Sequence, residues 1–333
     1  MNWTGKKALV TGADGFIGSH LTEALVRAGA HVTALAQYNS FDSCGWLDDL
    51  PHDVKAAAQI MRGDVRDAHQ MATLCAGREI VFHLAALIAV PYSYHAPASY
   101  AETNVLGTVN VLAGARAAGN ARVVHTSTSE VYGTARFTPI TEDHPVQGFS
   151  PYSASKIGAD HMAESFARSF ALPVVILRPF NTYGPRQSER AVVGTLVRQM
   201  LDPHCEAIRL GDLAPERDFT FVDDTVAAFI KAAELDGVAN ASVFNAGSGR
   251  SITIGDLVDR VRRVAGSDKP VVADAERTRP AESEVMALIA DATRFGEASG
   301  WRAEIGLDDG LARTVDWWRG RLDRVRDGTD DLK

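Results

Sequence analysis

Apolar positions over roughly the first 130 residues come in two alternating kinds. Short runs at Ala8–Val10, His31–Leu35, Ile80–Ala85 and Val123–Ser127 are apolar almost throughout, as strands buried on both faces must be. Between them, Phe16–Ala28 and Ala98–Ala118 carry apolar side chains at helical spacing. The alternation predicts an α/β fold, a doubly wound parallel sheet covered by helices on both faces. Gly29 fits the C-cap of the first helix, and Gly107 interrupts the longer one without stopping it. A further helix is expected from about Ser153 to Phe170, followed by a buried strand at Pro173–Leu177. From Arg178 onward Pro179, Gly184 and Pro185 mark loops, and the pattern loosens into a smaller α+β lobe. The expected boundaries are a sheet domain over 1–179 with 222–248 returning to it, a second lobe from 180–221 and 249–325, and a frayed tail over 326–333.

Composition narrows this picture. The 333 residues are 46% hydrophobic and 23% charged, enough for a large core in about two lobes. Acidic side chains number 42 against 34 basic ones, for a net charge of −8, and no basic stripe forms. Nucleic acid and anionic membrane are therefore poor partners. The longest apolar stretch, Leu84–Tyr92, is far below the roughly 18 to 20 residues of a bilayer span, and Met1–Lys7 is too polar for a signal peptide. A cytoplasmic protein is expected. Cys44, Cys75 and Cys205 are odd in number and far apart, which suits a reducing compartment and offers no metal-ligand spacing. No metal is expected.

The turn Gly12-Ala13-Asp14-Gly15-Phe16-Ile17-Gly18 directly follows the first strand and opens the first helix. Such a unit brings backbone amides and a helix N-terminus up to a pyrophosphate, so a dinucleotide and a Rossmann-like sheet are expected. The acid that would hold the adenosine ribose should end the second strand near position 36, yet Ala36 stands there, followed by Gln37, Tyr38, Asn39 and Ser40. No arginine or lysine lies between His31 and Val54 to pair with a 2′-phosphate. The balance favours NAD and leaves NADP open, because an unpaired phosphate dianion is costlier than an unpaired diol.

Tyr152 and Lys156, four residues apart, share one helix face, and Thr128 ends the fifth strand. The lysine ammonium, together with the positive nicotinamide ring of an oxidised cofactor, is expected to lower the tyrosine pKa toward the range a base needs, with Thr128 sharing the substrate oxygen. The G-x-x-G-x-x-G turn, the Tyr–Lys pair, Gly63-Asp64-Val65 and His83-Leu84-Ala85-Ala86 together resemble the extended short-chain dehydrogenase/reductase superfamily over approximately residues 5 to 320. The resemblance implies that Gly12, Gly15, Phe16, Ile17, Gly18, Asn39, Ser40, Asp64, Val65, Leu84, Ala85, Ala86, Asn104, Tyr152 and Lys156 line the cofactor. It also implies a homodimer formed through the helices near 98–118 and 153–170.

Within that superfamily Thr128-Ser129-Glu130 resembles the GDP-mannose 4,6-dehydratases, and also the UDP-glucuronate decarboxylases. The dTDP-glucose 4,6-dehydratases have aspartate where Ser129 stands, so the acid for the leaving C6 hydroxyl is open. Segments Tyr38–Phe41, Gly45–Asp48, Ile88–Tyr94 and Thr126–Thr134 resemble the 4,6-dehydratases of legionaminic acid pathways, which act on nucleotide-linked N-acetylglucosamine. The implied reaction is C4 oxidation, C5/C6 water elimination with Glu130 as base, and hydride return to C6; a C4 epimerase or a uronate decarboxylase is the alternative on the same scaffold. A non-catalytic dinucleotide sensor is disfavoured, because Thr128, Tyr152 and Lys156 are all present. For the nucleotide-sugar substrate the expected contacts are Ser93, Asn181, Arg186, Arg217 and Arg279, with Arg178 and Arg277 as further diphosphate candidates. Asp223 and Asp224 are read as caps of a helix over Thr225–Leu235, and His83 and His125 as structural histidines.

Overall fold

The computed structural model describes residues 1–237, 239–274 and 285–322. Arg277, Arg279 and the expected tail lie outside them. Seven strands form the main sheet: β1 (Lys7–Thr11), β2 (His31–Gln37), β3 (Gln59–Gly63), β4 (Ile80–His83), β5 (Arg122–Thr126), β6 (Val174–Pro179) and, much later, β10 (Ser242–Ala246). Their order is β3-β2-β1-β4-β5-β6-β10, all parallel. Successive residues of β1 serve opposite cores, which is why the strand reads as one apolar run. Ala8 and Val10 pack with Leu21, Leu25, Val226 and Phe229 from the helices on one face. Leu9 packs with Met71, Val111, Leu112, Ala163 and Ala167 from those on the other.

Three local differences from the expected elements have identifiable causes. The helix expected from Ser153 begins at Pro151, because Ser153 is the third residue of a capping box: Ser153 N donates to Ser150 Oγ at 3.1 Å, and Ser150 N donates to Ser153 Oγ at 3.0 Å. The long helix continues through Gly107, but its middle, Ala101–Leu106, widens to a π turn between Pro97–Tyr100 and Gly107–Ala117. Gly107 is needed there, since a Cβ would lie 2.7 Å from Val65 Cγ2. Asp223 and Asp224 do not cap, because their helix starts earlier, at Val222, and places both in its first turn.

The smaller lobe is built on β7 (Asn181–Tyr183), β9 (Glu216–Phe221), β11 (Ser251–Thr253) and β13 (Ala287–Leu288), with a two-stranded patch of β8 (Ile208–Leu210) and β12 (Val271–Ala273). Buried carboxylates organise its loops. Asp218 accepts from Ser248 N, Ser248 Oγ, Gly249 N and Ala290 N. Asp224 accepts from Glu304 N at 3.1 Å and Ile305 N at 2.9 Å. Among the described residues no helix is long and apolar enough to cross a membrane.

Truncating Asp224 to Ala strands two backbone N–H groups. The expected loss is about 1–3 kcal/mol of stability, visible as a lower urea midpoint with an unchanged slope; an unmoved midpoint would mean that loop 301–305 is held by other contacts.

Candidate active site

The cofactor turn is tight enough to need its glycines. Gly12 has φ +68°, and a Cβ there would sit 2.7 Å from Ala85 N; a Cβ on Gly18 would collide with the Gly12 carbonyl. Leu84 and Ala85 are held against the turn, with Leu84 N donating to Thr11 O at 3.1 Å and Ala85 N to Thr11 Oγ1 at 3.2 Å. Gly15 is the N-cap of helix Phe16–Arg27, with no side-chain cap and no acid in the first turn. A helix start of this kind, beside a side-chain-free cradle, fits a dinucleotide pyrophosphate. Phe16, Ile17, Leu84, Ala85 and Ala86 all lie half-buried around it.

At the adenosine end the structure adds detail that the sequence pattern lacked. Asp64 ends β3 and is chelated by Arg66, whose Nη2 lies 2.6 Å from Oδ2; that hydrogen bond holds the carboxyl below its usual pKa. Val65 is buried against Gly107. Asn39 spends its amide on its own loop, accepting from Phe41 N and donating to Ser43 O, while Ser40 is exposed beside it. Asn104 is also engaged internally, bonding both the N–H and the carbonyl of Leu87 and the Ser155 hydroxyl. Its place in the site is to brace the Leu87 segment against the catalytic helix.

The residues expected to be catalytic converge. Thr128 leaves β5 in an extended conformation and N-caps the short 3₁₀ turn Ser129–Tyr132, its Oγ1 accepting from Glu130 N at 3.2 Å. The Thr128 side chain also hydrogen-bonds Tyr152, and the Glu130 carboxylate lies close enough to oppose the tyrosine's ionisation. Burial is the largest influence on Tyr152 and raises its pKa well above the ordinary value; Thr128 is the group that lowers it. Lys156 Nζ donates to Thr126 O at 2.6 Å. Burial draws the Lys156 ammonium down to about 8, with Asp160 opposing. Ser129 is buried at the back of the turn.

Beneath this group lies a network that the motif search missed. Asp160, one helical turn beyond Lys156, accepts from Ser127 Oγ at 2.7 Å and from Arg178 Nη2 at 3.0 Å, and contacts His125 Nε2 at 3.1 Å. Burial alone would raise its carboxyl, but His125 and Arg178 outweigh burial and hold it at about 2. Arg178 is thereby removed from the diphosphate candidates, since its guanidinium is buried on Asp160 and the Tyr132 hydroxyl. His83 is satisfied at both ring nitrogens, by Thr11 and Thr108, whereas His125 Nδ1 has no partner among the described residues. The available signal was the i, i+4, i+8 spacing of Tyr152, Lys156 and Asp160 on one helix face.

The expected sugar-nucleotide contacts divide. Asn181 on β7 and Arg217 on β9 share one sheet, with Asn181 Nδ2 donating to Asp218 O at 3.3 Å and Arg217 Nη1 to Glu216 O at 2.9 Å. Ser93 faces inward instead: it is fully buried and donates to Val90 O at 2.6 Å. Arg186 pairs with Glu23 of helix Phe16–Arg27 at 2.7 Å.

A doubly wound sheet with this glycine turn and a convergent Thr–Tyr–Lys set defines an NAD-dependent enzyme of the extended short-chain dehydrogenase/reductase class. The chain belongs to the GDP-mannose 4,6-dehydratase family, which it matches over residues 9–314. It is 34% identical to a UDP-glucose 4-epimerase of Mycolicibacterium smegmatis over 95% of this chain and 99% of that one. Among solved structures, the dTDP-glucose 4,6-dehydratase of Streptomyces venezuelae, determined with NAD bound, superposes with a TM-score of 0.84 at 32% identity, covering 96% of this chain and 98% of that one. An NAD-dependent NDP-hexosamine 5,6-dehydratase of tunicamycin biosynthesis gives 0.82 at 31% identity, with 96% and 99% covered. The chain is thus an enzyme of the NAD-dependent nucleotide-sugar dehydratase and epimerase family.

The lysine has a measurable consequence. Its pKa is about 8 in the folded chain against 10.5 for a free side chain, so between these values the unfolded chain binds more protons and stability rises with pH. In cofactor-free protein the wild type should gain about 2 kcal/mol from pH 8 to pH 10 relative to Lys156→Met, measured as paired denaturant curves. Parallel curves would contradict the lowered pKa.

Proposed function

We propose that the chain is a nucleotide-sugar 4,6-dehydratase, taking an NDP-hexose, by preference an NDP-N-acetylglucosamine, to its 4-keto-6-deoxy product. The observation that carries this reading is the Glu130 carboxylate beside Thr128 and Tyr152. An epimerase needs one base at the C4 oxygen, whereas dehydration needs a second at C5. Preference for the acetamido sugar rests on the segments Tyr38–Phe41, Gly45–Asp48, Ile88–Tyr94 and Thr126–Thr134 and agrees with the hexosamine-acting neighbour.

NAD, when bound, supplies a reversible two-electron oxidation. Tyr152 accepts the C4 hydroxyl proton as that carbon becomes a ketone, and Thr128 shares the same oxygen. The ketone acidifies the C5 proton, which Glu130 removes. Because Ser129 offers no acid, protonated Glu130 then passes a proton, through water, to the C6 hydroxyl, which departs as water. The electrons withdrawn at C4 return as hydride at C6, and C5 is reprotonated with the proton that Tyr152 took from the C4 hydroxyl, so the conversion is the loss of one water with no net redox change. Lys156 keeps positive charge under the phenol end of the helix.

A second reading, C4 epimerisation, is favoured by the name of the mycobacterial relative. Mass spectrometry on UDP-, GDP- and dTDP-sugars separates the two, since the dehydratase product is lighter by one water. Tyr152→Phe should block even C4 oxidation. Glu130→Gln should leave oxidation intact, slow elimination by about 10²- to 10⁴-fold, and hold the reduced-nicotinamide absorbance high in a single turnover. Dehydration at the wild-type rate in that variant would move the base role elsewhere.

We further propose that the protein acts in the cytoplasm, where its three free thiols stay reduced, as a homodimer through helices Gly107–Ala117 and Pro151–Phe170. Exposed Leu106 and Phe170 lie at their ends. Light scattering at micromolar concentration should give twice the chain mass, and a monomer would oppose the assembly.

A further inference from the structure

The cofactor pocket lacks a carboxylate at the end of β2, and the fold brings one from elsewhere. β2 and β3 run parallel in a register that sets Ala36 beside Arg62, so the two side chains leave the sheet on the same face. Arg62 lies outside the sequence window in which a cation was sought. Its Nε reaches Cys44 Sγ at 3.3 Å, its Nη2 donates to Asp42 O at 2.9 Å, and its Nη1 pairs with the Asp42 carboxylate. Asp42 itself has φ +58°, a left-handed conformation that a non-glycine residue keeps when its surroundings hold it. Its side chain is nonetheless 87% exposed, so the ion pair leaves carboxylate surface open to solvent.

The loop carrying Asp42 is fastened to the cofactor turn. Gln37 N donates to Asp14 Oδ2 at 3.1 Å, and Trp46 N donates to Asp14 O at 3.0 Å. Gly45 approaches so closely that a Cβ would lie 2.5 Å from Asp14 O. Between these anchors Asn39 Oδ1 accepts from Phe41 N and Ser43 N, which closes the loop on itself. Asp42 and Arg62 are thus fixed relative to the glycine turn, at the end of β2, where Ala36 itself is fully buried and carries no polar group.

We propose that the Asp42–Arg62 pair selects NAD over NADP. Asp42 supplies the carboxylate for the adenosine ribose hydroxyls that Ala36 cannot. At the same time it occupies a guanidinium whose planar donors suit a 2′-phosphate, so NADP meets a negative charge and a cation already paired.

The test is a calorimetric titration of the full chain, freed of bound cofactor, with NAD and with NADP. Asp42→Asn removes the charge while keeping a residue that tolerates the left-handed conformation. It should bind NADP about tenfold more tightly than wild type and NAD several-fold more weakly. Adding Arg62→Ala should abolish the NADP gain, and matching thermal midpoints would show that the variants keep the fold. An NADP-to-NAD affinity ratio within about twofold of wild type in Asp42→Asn, or a gain that survives Arg62→Ala, overturns the proposal.

Discussion

One buried carboxylate, Asp160, sets the geometry on which the reactive end of the molecule depends. It lies on the helix that carries Tyr152 and Lys156, and it is gripped from β5 by His125, from the segment just after β5 by Ser127, and from β6 by Arg178. A carboxylate so buried is tolerable only when its oxygens are saturated by donors. Four donor contacts therefore fix both the rotation of helix Pro151–Phe170 and its height above the sheet. Lys156 and Tyr152, one and two turns earlier, are then aimed at the end of β5, where Thr128 begins its turn.

The smaller lobe uses the same device with different partners. Its loops have little apolar periodicity, and short strands alone cannot position them. Asp218 gathers Ser248, Gly249 and Ala290 onto β9, next to Arg217, while Asp224 gathers residues 304 and 305 onto the start of helix Val222–Glu234. Asn245, at the last strand of the main sheet, ties the two regions: it bonds the Tyr132 hydroxyl beyond the catalytic turn and the carbonyl of Ile140.

Burial acts on the two members of the Tyr–Lys pair in opposite senses of charge but with one result. It disfavours the charged form of each: the Tyr152 phenol stays protonated, and the Lys156 ammonium is drawn down to about 8, which still leaves it charged at neutral pH.

The alternation of apolar runs, the glycine turn, and the Tyr152–Lys156 spacing were sufficient to place β1, β2, β4, β5 and β6, the helices that begin at Phe16 and end at Phe170, and the cofactor end of the sheet, because each is a local pattern whose geometry follows from one period or one steric limit. The family resemblance rested on the same short segments. What the tertiary structure decided was pairing at a distance. Arg178 and Arg186 look like phosphate ligands in a one-dimensional reading, yet they are bound to Asp160 and Glu23; Ser93 and Asn104 look like ligand contacts, yet they brace backbone. The absent acid at position 36 was legible, but not the Arg62–Asp42 pair beside it, because strand register brings Arg62 next to Ala36 across 26 positions of chain. A charged side chain settles on the nearest available counter-charge in space, and sequence spacing does not encode that distance.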